Sequence, residues 1–205
     1  MTNKNFYFYT AAGLTLIVPV AGRFAFGFIM LILFNLQIIT TVMFTHLIAL
    51  LHLEDLKNVL VSIMLISVTI FFKQLVTLYC PIAALTLGFL MYLPALASVF
   101  IEFCYKHNNI PFKDDLLINL RRNGVFSVAA MIIYIVRDII GYGTITFPAG
   151  HSINALYISF GTQETYVGAF IATIPGALVL TAFMLAFFFT AKGNFNMIQR
   201  SGVQE

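Results

Sequence analysis

Charge is scarce in this chain. Only 9% of its 205 residues are Asp, Glu, Lys or Arg, against about 25% in an ordinary soluble domain. With 60% apolar residues and a mean hydropathy of +0.95, there is too little polar surface to cover a water-soluble globule. Tryptophan is absent and Phe numbers 22, so an aromatic belt at a bilayer surface must rest on Tyr and Phe. The two cysteines, Cys80 and Cys104, lack CxxC spacing and lie in or beside apolar runs, which fits free, buried thiols better than a redox pair or a metal site. No HExxH, GxSxG or P-loop occurs. The basic residues are scattered, without a nucleic-acid motif. These absences argue against hydrolase, transferase and nucleic-acid-binding chemistry and leave an integral membrane protein.

A spanning helix needs about 20 apolar residues, and six stretches qualify or come close: 6–21, 24–51, 59–72, 75–103, 125–140 and 166–191. The expected fold is all-α: one membrane domain over 1–205, with six transmembrane helices. One lysine precedes the first apolar run, as in a signal peptide, but the run continues past Ala11-Ala12-Gly13, which favours a retained segment. Lys73-Gln74 reads as a tight turn, and 106–124 as a polar loop. Six spans place both termini on one side with Lys4, Lys57, Lys106, Lys113, Arg121, Arg122, Lys192 and Arg200. Arg23, Lys73 and Arg137 fall on the other. The positive-inside rule then makes the termini cytoplasmic, in an inner membrane.

Proline and glycine interrupt spans one, four and six: Gly13 and Pro19, then Pro81, Gly88 and Pro94, then Pro175 and Gly176. Bare peptide groups at membrane depth must be covered by protein or line a cavity. Dividing the chain into halves at about 6–73 and 75–191 gives two inverted three-helix units. Residues 13–22 and 91–100 then occupy matching positions, a pattern that points to a midplane site. Polar residues within spans are few. His46 sits about one turn from the end of its span, placed to snorkel or cap, and Glu102 can pair with Lys106 at i+4.

The stretch YIVRDIIGYGTITFP, residues 134–148, places Arg137 and Asp138 near the end of a span. Neighbours at i and i+1 point in different directions, so each charge needs its own partner: a backbone carbonyl, another span, or a second subunit. Arg137 can also snorkel to headgroups. Gly141 and Gly143 fit a helix C-terminal cap and a sharp exit.

VRDIIGYGTITFP resembles the "(I/V)RE-ϕ-LG-x-GT" segment of the Rnf/Nqr membrane-subunit family. IATIPGALVLTAFMLAFF (171–188) is similar to that family's final span, and GLTLIVPV (13–20) to its opening Gly-Leu-Cys-Pro-Leu. The likeness extends over most of the chain and is closest to the E subunit of the Rnf complex and the D subunit of the sodium-pumping NADH:quinone reductase. It implies a homologous six-span partner, further complex subunits, and a [2Fe–2S] cluster held between the two paired subunits, each half of which carries one cysteine on a broken helix. Through that cluster electrons would cross, coupled to sodium or proton movement.

At the cluster positions this chain departs from the family. Gly13-Leu14-Thr15-Leu16 stands where Gly-Leu-Cys-Pro is expected, and aligning Pro94 brings Phe100 to the place of the second cysteine. A hydroxyl or a phenyl ring does not replace a thiolate. Either the match is out of register around the fourth span, or the chain has lost the cluster; Thr15 favours the second. The expectation is a scaffold or ion-path subunit that binds no cofactor or metal of its own and is at most a non-catalytic or electron-transfer part of a translocase. Arg137, Asp138, Gly141 and Gly143 would serve the ion path or a partner contact. The rival reading is a stand-alone transporter of a small solute or ion, with its cavity between 13–22 and 91–100.

Overall fold

The structure is a computed structural model and describes residues 12, 16–20, 22–104, 111–149, 152–157, 170–183 and 186. Four helical runs among them are long and apolar enough to cross a membrane. α1 is Phe24–Leu50 and α2 is Lys57–Tyr79, joined through a 3₁₀ turn at Glu54–Leu56. The third run, Pro81–Phe100, consists of α3 (Pro81–Leu87), a 3₁₀ turn (Gly88–Tyr92) and most of α4 (Leu93–Cys104). α5 is Phe112–Tyr142. It leads into an antiparallel hairpin of β1 (Thr144–Ala149) and β2 (Ser152–Tyr157), in register from Thr144 opposite Tyr157 to Ala149 opposite Ser152. A shorter apolar helix, α6, is Ile174–Phe183.

Several expectations are corrected. The chain is mostly helical but not all-α, because β-branched Thr144, Ile145 and Thr146 follow the helix end and extend as a strand. The polar stretch before span five is not a loop through Gly124: α5 begins at Phe112, with Asp114 and Asp115 in its first turn, where carboxylates suit the positive end of the helix dipole. Lys73-Gln74 is no turn. It lies inside α2, which ends at Tyr79; Pro81 then opens α3, at a position that needs no N–H. The proposed division between halves at 73/75 therefore falls within a helix. In the fourth span Pro81 and Gly88 interrupt the helix as expected, at the start of α3 and at the turn Gly88–Tyr92, whereas Pro94 does not and sits in the first turn of α4. Span one and the outer part of span six fall largely on residues outside those described, as do Gly13, Thr15 and the side chains of Glu102 and Lys106.

α1 is the most enclosed of the four long helices and runs antiparallel to α5. Polar contacts join the two at three depths. The Phe24 N–H donates to Asp138 at one end (3.1 Å). Near the middle, Asn123 donates to Asn35 Oδ1 (2.9 Å) and Asn35 to Ser127 Oγ (3.0 Å). At the far end His46 Nε2 pairs with Asp115 Oδ2 (3.3 Å), with Asn119 supporting the same carboxylate. His46 is thus engaged with α5 and does not simply snorkel. From Phe24 to His46 the helix rises about 33 Å, close to the roughly 30 Å of a bilayer's hydrocarbon core. Apolar packing fills the intervals, including an edge-on contact between the Phe34 and Phe126 rings.

On another side of α1, Gln37 donates to Thr69 of α2 (2.9 Å) and Ser98 of α4 donates to Gln37 Oε1 (3.5 Å), so one amide ties three helices. The outer face of α2 presents Val59, Ile63, Ile66, Ile70 and Leu78, as expected of a surface turned to lipid. Asn35→Leu would strip a buried partner from Asn123, whose Oδ1 already lacks one. We expect a loss of about 1–3 kcal/mol, measurable as a lowered melting temperature in detergent; an unchanged value would assign the middle contact no energetic role.

Candidate functional site

Arg137 and Asp138 sit about one turn before the end of α5, and both are 0% exposed. They do not pair with each other. Arg137 turns toward two chain segments that are both interrupted beside a proline. Its Nη1 donates to the carbonyls of Ile17 (2.8 Å) and Val20 (3.1 Å), which flank Pro19. Its Nη2 donates to Ala172 O (3.1 Å) and its Nε to Ile171 O (3.4 Å), just ahead of the bend at Thr173 and of Pro175. Four of the five guanidinium N–H groups are thereby used, and carbonyls without helical partners gain donors. Tyr134, one turn earlier on the same face of α5, adds its hydroxyl to Leu16 O (2.7 Å).

Asp138 does the opposite work. Its Oδ2 accepts from the N–H of Phe24, the first residue of α1, and from the N–H and hydroxyl of Thr146 (both 2.7 Å). Its Oδ1 accepts from Thr144 Oγ1 (3.1 Å). Thr146 Oγ1 in turn accepts from the Ala25 N–H (3.2 Å). No side chain local to α1 caps its start; a carboxylate from α5 and a hydroxyl from β1 do so instead, at the end where the helix dipole favours negative charge. The adjacent charges are therefore divided: the cation holds carbonyl ends, and the anion holds an amide start. Each is buried and compensated by dedicated partners, the condition under which burial of a charge is tolerated.

The glycines make this geometry possible. Gly143 adopts φ 63° and closes α5 as a left-handed C-cap, its N–H bonding to Asp138 O and Ile139 O. Gly141 lies against Ala172: a Cβ at 141 would stand 2.8 Å from Ala172 Cβ, and one at Gly22 would stand 3.2 Å from Ala172 Cα. Small residues at 22, 141 and 172 let the segments approach until the carbonyls of 171 and 172 reach Arg137. We predict that Gly141→Val will cost about 1–3 kcal/mol by overpacking, and that Ala172→Gly will recover part of the loss. Equal stability of the single and double variants would disprove this contact.

The site unites Arg137, Asp138, Gly141, Gly143 and Pro19 with the segment before Pro175 and Gly176. It does not include Pro94 or Phe100. Phe100 lies on α4 and is 51% exposed. The interruption near Pro19 meets the one near Pro175 at Arg137. Tyr134, Thr144 and Thr146 were not singled out from sequence. A signal for them exists: Tyr134 precedes Arg137 by three residues on one helix face, and Thr-Ile-Thr alternation places both hydroxyls on one side of the strand.

At the position that the family likeness gives to the second cluster cysteine, the side chain present does not suit an iron–sulfur group. Phe100 offers no thiolate. Cys80 is buried at the end of α2 and Cys104 ends α4, on either side of the interruption at Gly88–Tyr92. No family model matches this chain, and no curated protein matches it.

Proposed function

We propose that the chain is a membrane subunit of an Rnf/Nqr-type ion-translocating electron-transport complex, serving as scaffold or part of the ion path without ligating a cluster itself. The observation that carries this reading is that the segment resembling the family motif organises the fold: Arg137 and Asp138 bind the two interrupted segments and the start of α1. A motif kept for its architecture can persist when the redox ligands are gone. The exposed Phe100 face of α4 is then available to a paralogous six-span subunit.

The end of the bundle bearing Lys57 and Lys113 faces the cytoplasm in this reading, by the positive-inside rule. Arg23 and the hairpin face the opposite side of the inner membrane. A stand-alone transporter is the second reading. One observation favours it: Thr45 Oγ1 is buried without a partner, two turns along α1 from the Gln37–Thr69–Ser98 contact.

Gentle solubilisation of tagged protein separates the two. Co-purification of flavin-bearing or iron–sulfur subunits supports the complex, whereas a clean monomer or homodimer supports the transporter. Stoichiometric non-haem iron bound to the isolated chain would refute the loss of the cluster.

A further inference from the structure

Arg137 is held as a ligand is held. Its guanidinium touches the carbonyl oxygens of Ile17, Val20, Ile171 and Ala172. They come from two segments about 150 residues apart in sequence. All four contacts are carbonyl acceptors, and the adjacent carboxylate, Asp138, is committed to the start of α1 and to Thr144 and Thr146. A carbonyl-terminated helix end carries up to about half a negative charge, so two such ends about balance one monovalent cation. Unwound carbonyls and helix C-terminal ends are the groups that coordinate cations inside membrane proteins.

We propose that these four carbonyls form a binding cage for a small, planar, monovalent cation, and that Arg137 is its built-in occupant. The chain thus carries a cation site plugged from within, closed to diffusible ions for as long as the arginine stays in place. Small residues at 22, 141 and 172 set the cage dimensions. The tethering stem enters from α5, so emptying the site requires removal of the side chain rather than movement of a loop. This goes beyond membership of any complex, because the cage is defined by contacts within one chain.

Chemical rescue tests the proposal. Arg137→Ala removes the occupant and leaves the cage. The purified variant should melt at a lower temperature than wild type. Millimolar guanidinium chloride should raise its melting temperature saturably by about 4 °C or more, with wild type unmoved. Urea, of the same shape without the charge, and sodium chloride at matched ionic strength should not substitute. The proposal fails if guanidinium has no saturable effect on the variant, if it stabilises wild type equally, or if urea or sodium chloride does as well. If the variant is not recovered folded, the readout becomes the yield of monodisperse protein extracted with and without guanidinium. Equal yields would overturn the cage. The co-purification experiment is indifferent to this result, so failure of one reading is distinguishable from failure of the other.

Discussion

Asp138→Ala will destabilise the protein by about 3–6 kcal/mol, because it leaves two buried backbone donors, the N–H groups of Phe24 and Thr146, without the charged acceptor each now has, at about 1.5–3 kcal/mol apiece. The hydroxyls of Thr144 and Thr146 can rotate to other partners and add less. The damage should be local in a particular way. Hydrogen exchange should accelerate at the first turn of α1 and along β1, both of which depend on this carboxylate, and should remain slow in the middle of α1, where Gln37 binds Thr69. Asp138→Asn retains an acceptor but presents an amide to a ring of donors, and should lie between alanine and wild type. An alanine variant as stable as wild type, with unaltered exchange at Phe24, would remove the carboxylate from any capping role.

The second large effect is expected at the preceding residue, with a different footprint. Arg137→Ala deprives four carbonyls of charged donors at once. We expect a loss of about 4 kcal/mol or more, on the scale seen when one member of a buried ionic arrangement is removed. Exchange should rise at 16–20 and 170–174, not at β1. Exchanging the two charges, Arg137→Asp with Asp138→Arg, gives the sharper test. A directly paired arginine and aspartate would tolerate the exchange. Here it would aim a carboxylate at carbonyl ends and a guanidinium at amide groups, so the double variant should be less stable than either alanine variant. Recovery of stability in the exchanged protein would show that the charges answer to each other and not to separate segments.

The membrane character, α1 and the need of Arg137 and Asp138 for separate partners were all legible in the sequence. Composition fixes the first, and an uninterrupted apolar run the second. The third follows because i and i+1 side chains diverge on a helix. The start of α5 was not legible by hydropathy. Asp114, Asp115, Arg121 and Arg122 make 112–124 look like a loop, yet acidic residues in a helix's first turn favour it, and Asp115, Asn119 and Asn123 find partners on α1 or within α5. Lys73-Gln74 misled for a related reason: a polar pair does not break a helix, and Lys73 lies over the Tyr92 ring while α2 continues. The meeting of the Pro19 and Pro175 interruptions rests on contacts about 150 residues apart, which no local pattern encodes. The hairpin was visible only as β-branched residues after a glycine, and its alternating threonines acquire meaning once Asp138 is seen between them.

The three polar contacts along α1 and α5 restrict how this protein can move. Displacing one of these helices lengthwise by a single turn would carry Asp138, Asn123 and Asp115 past their partners simultaneously. Piston-like sliding of this pair is therefore forbidden, and α1 with α5 behaves as a fixed mast. Any rearrangement of the bundle must occur around it, and the span interrupted at Gly88–Tyr92 is where the backbone can bend.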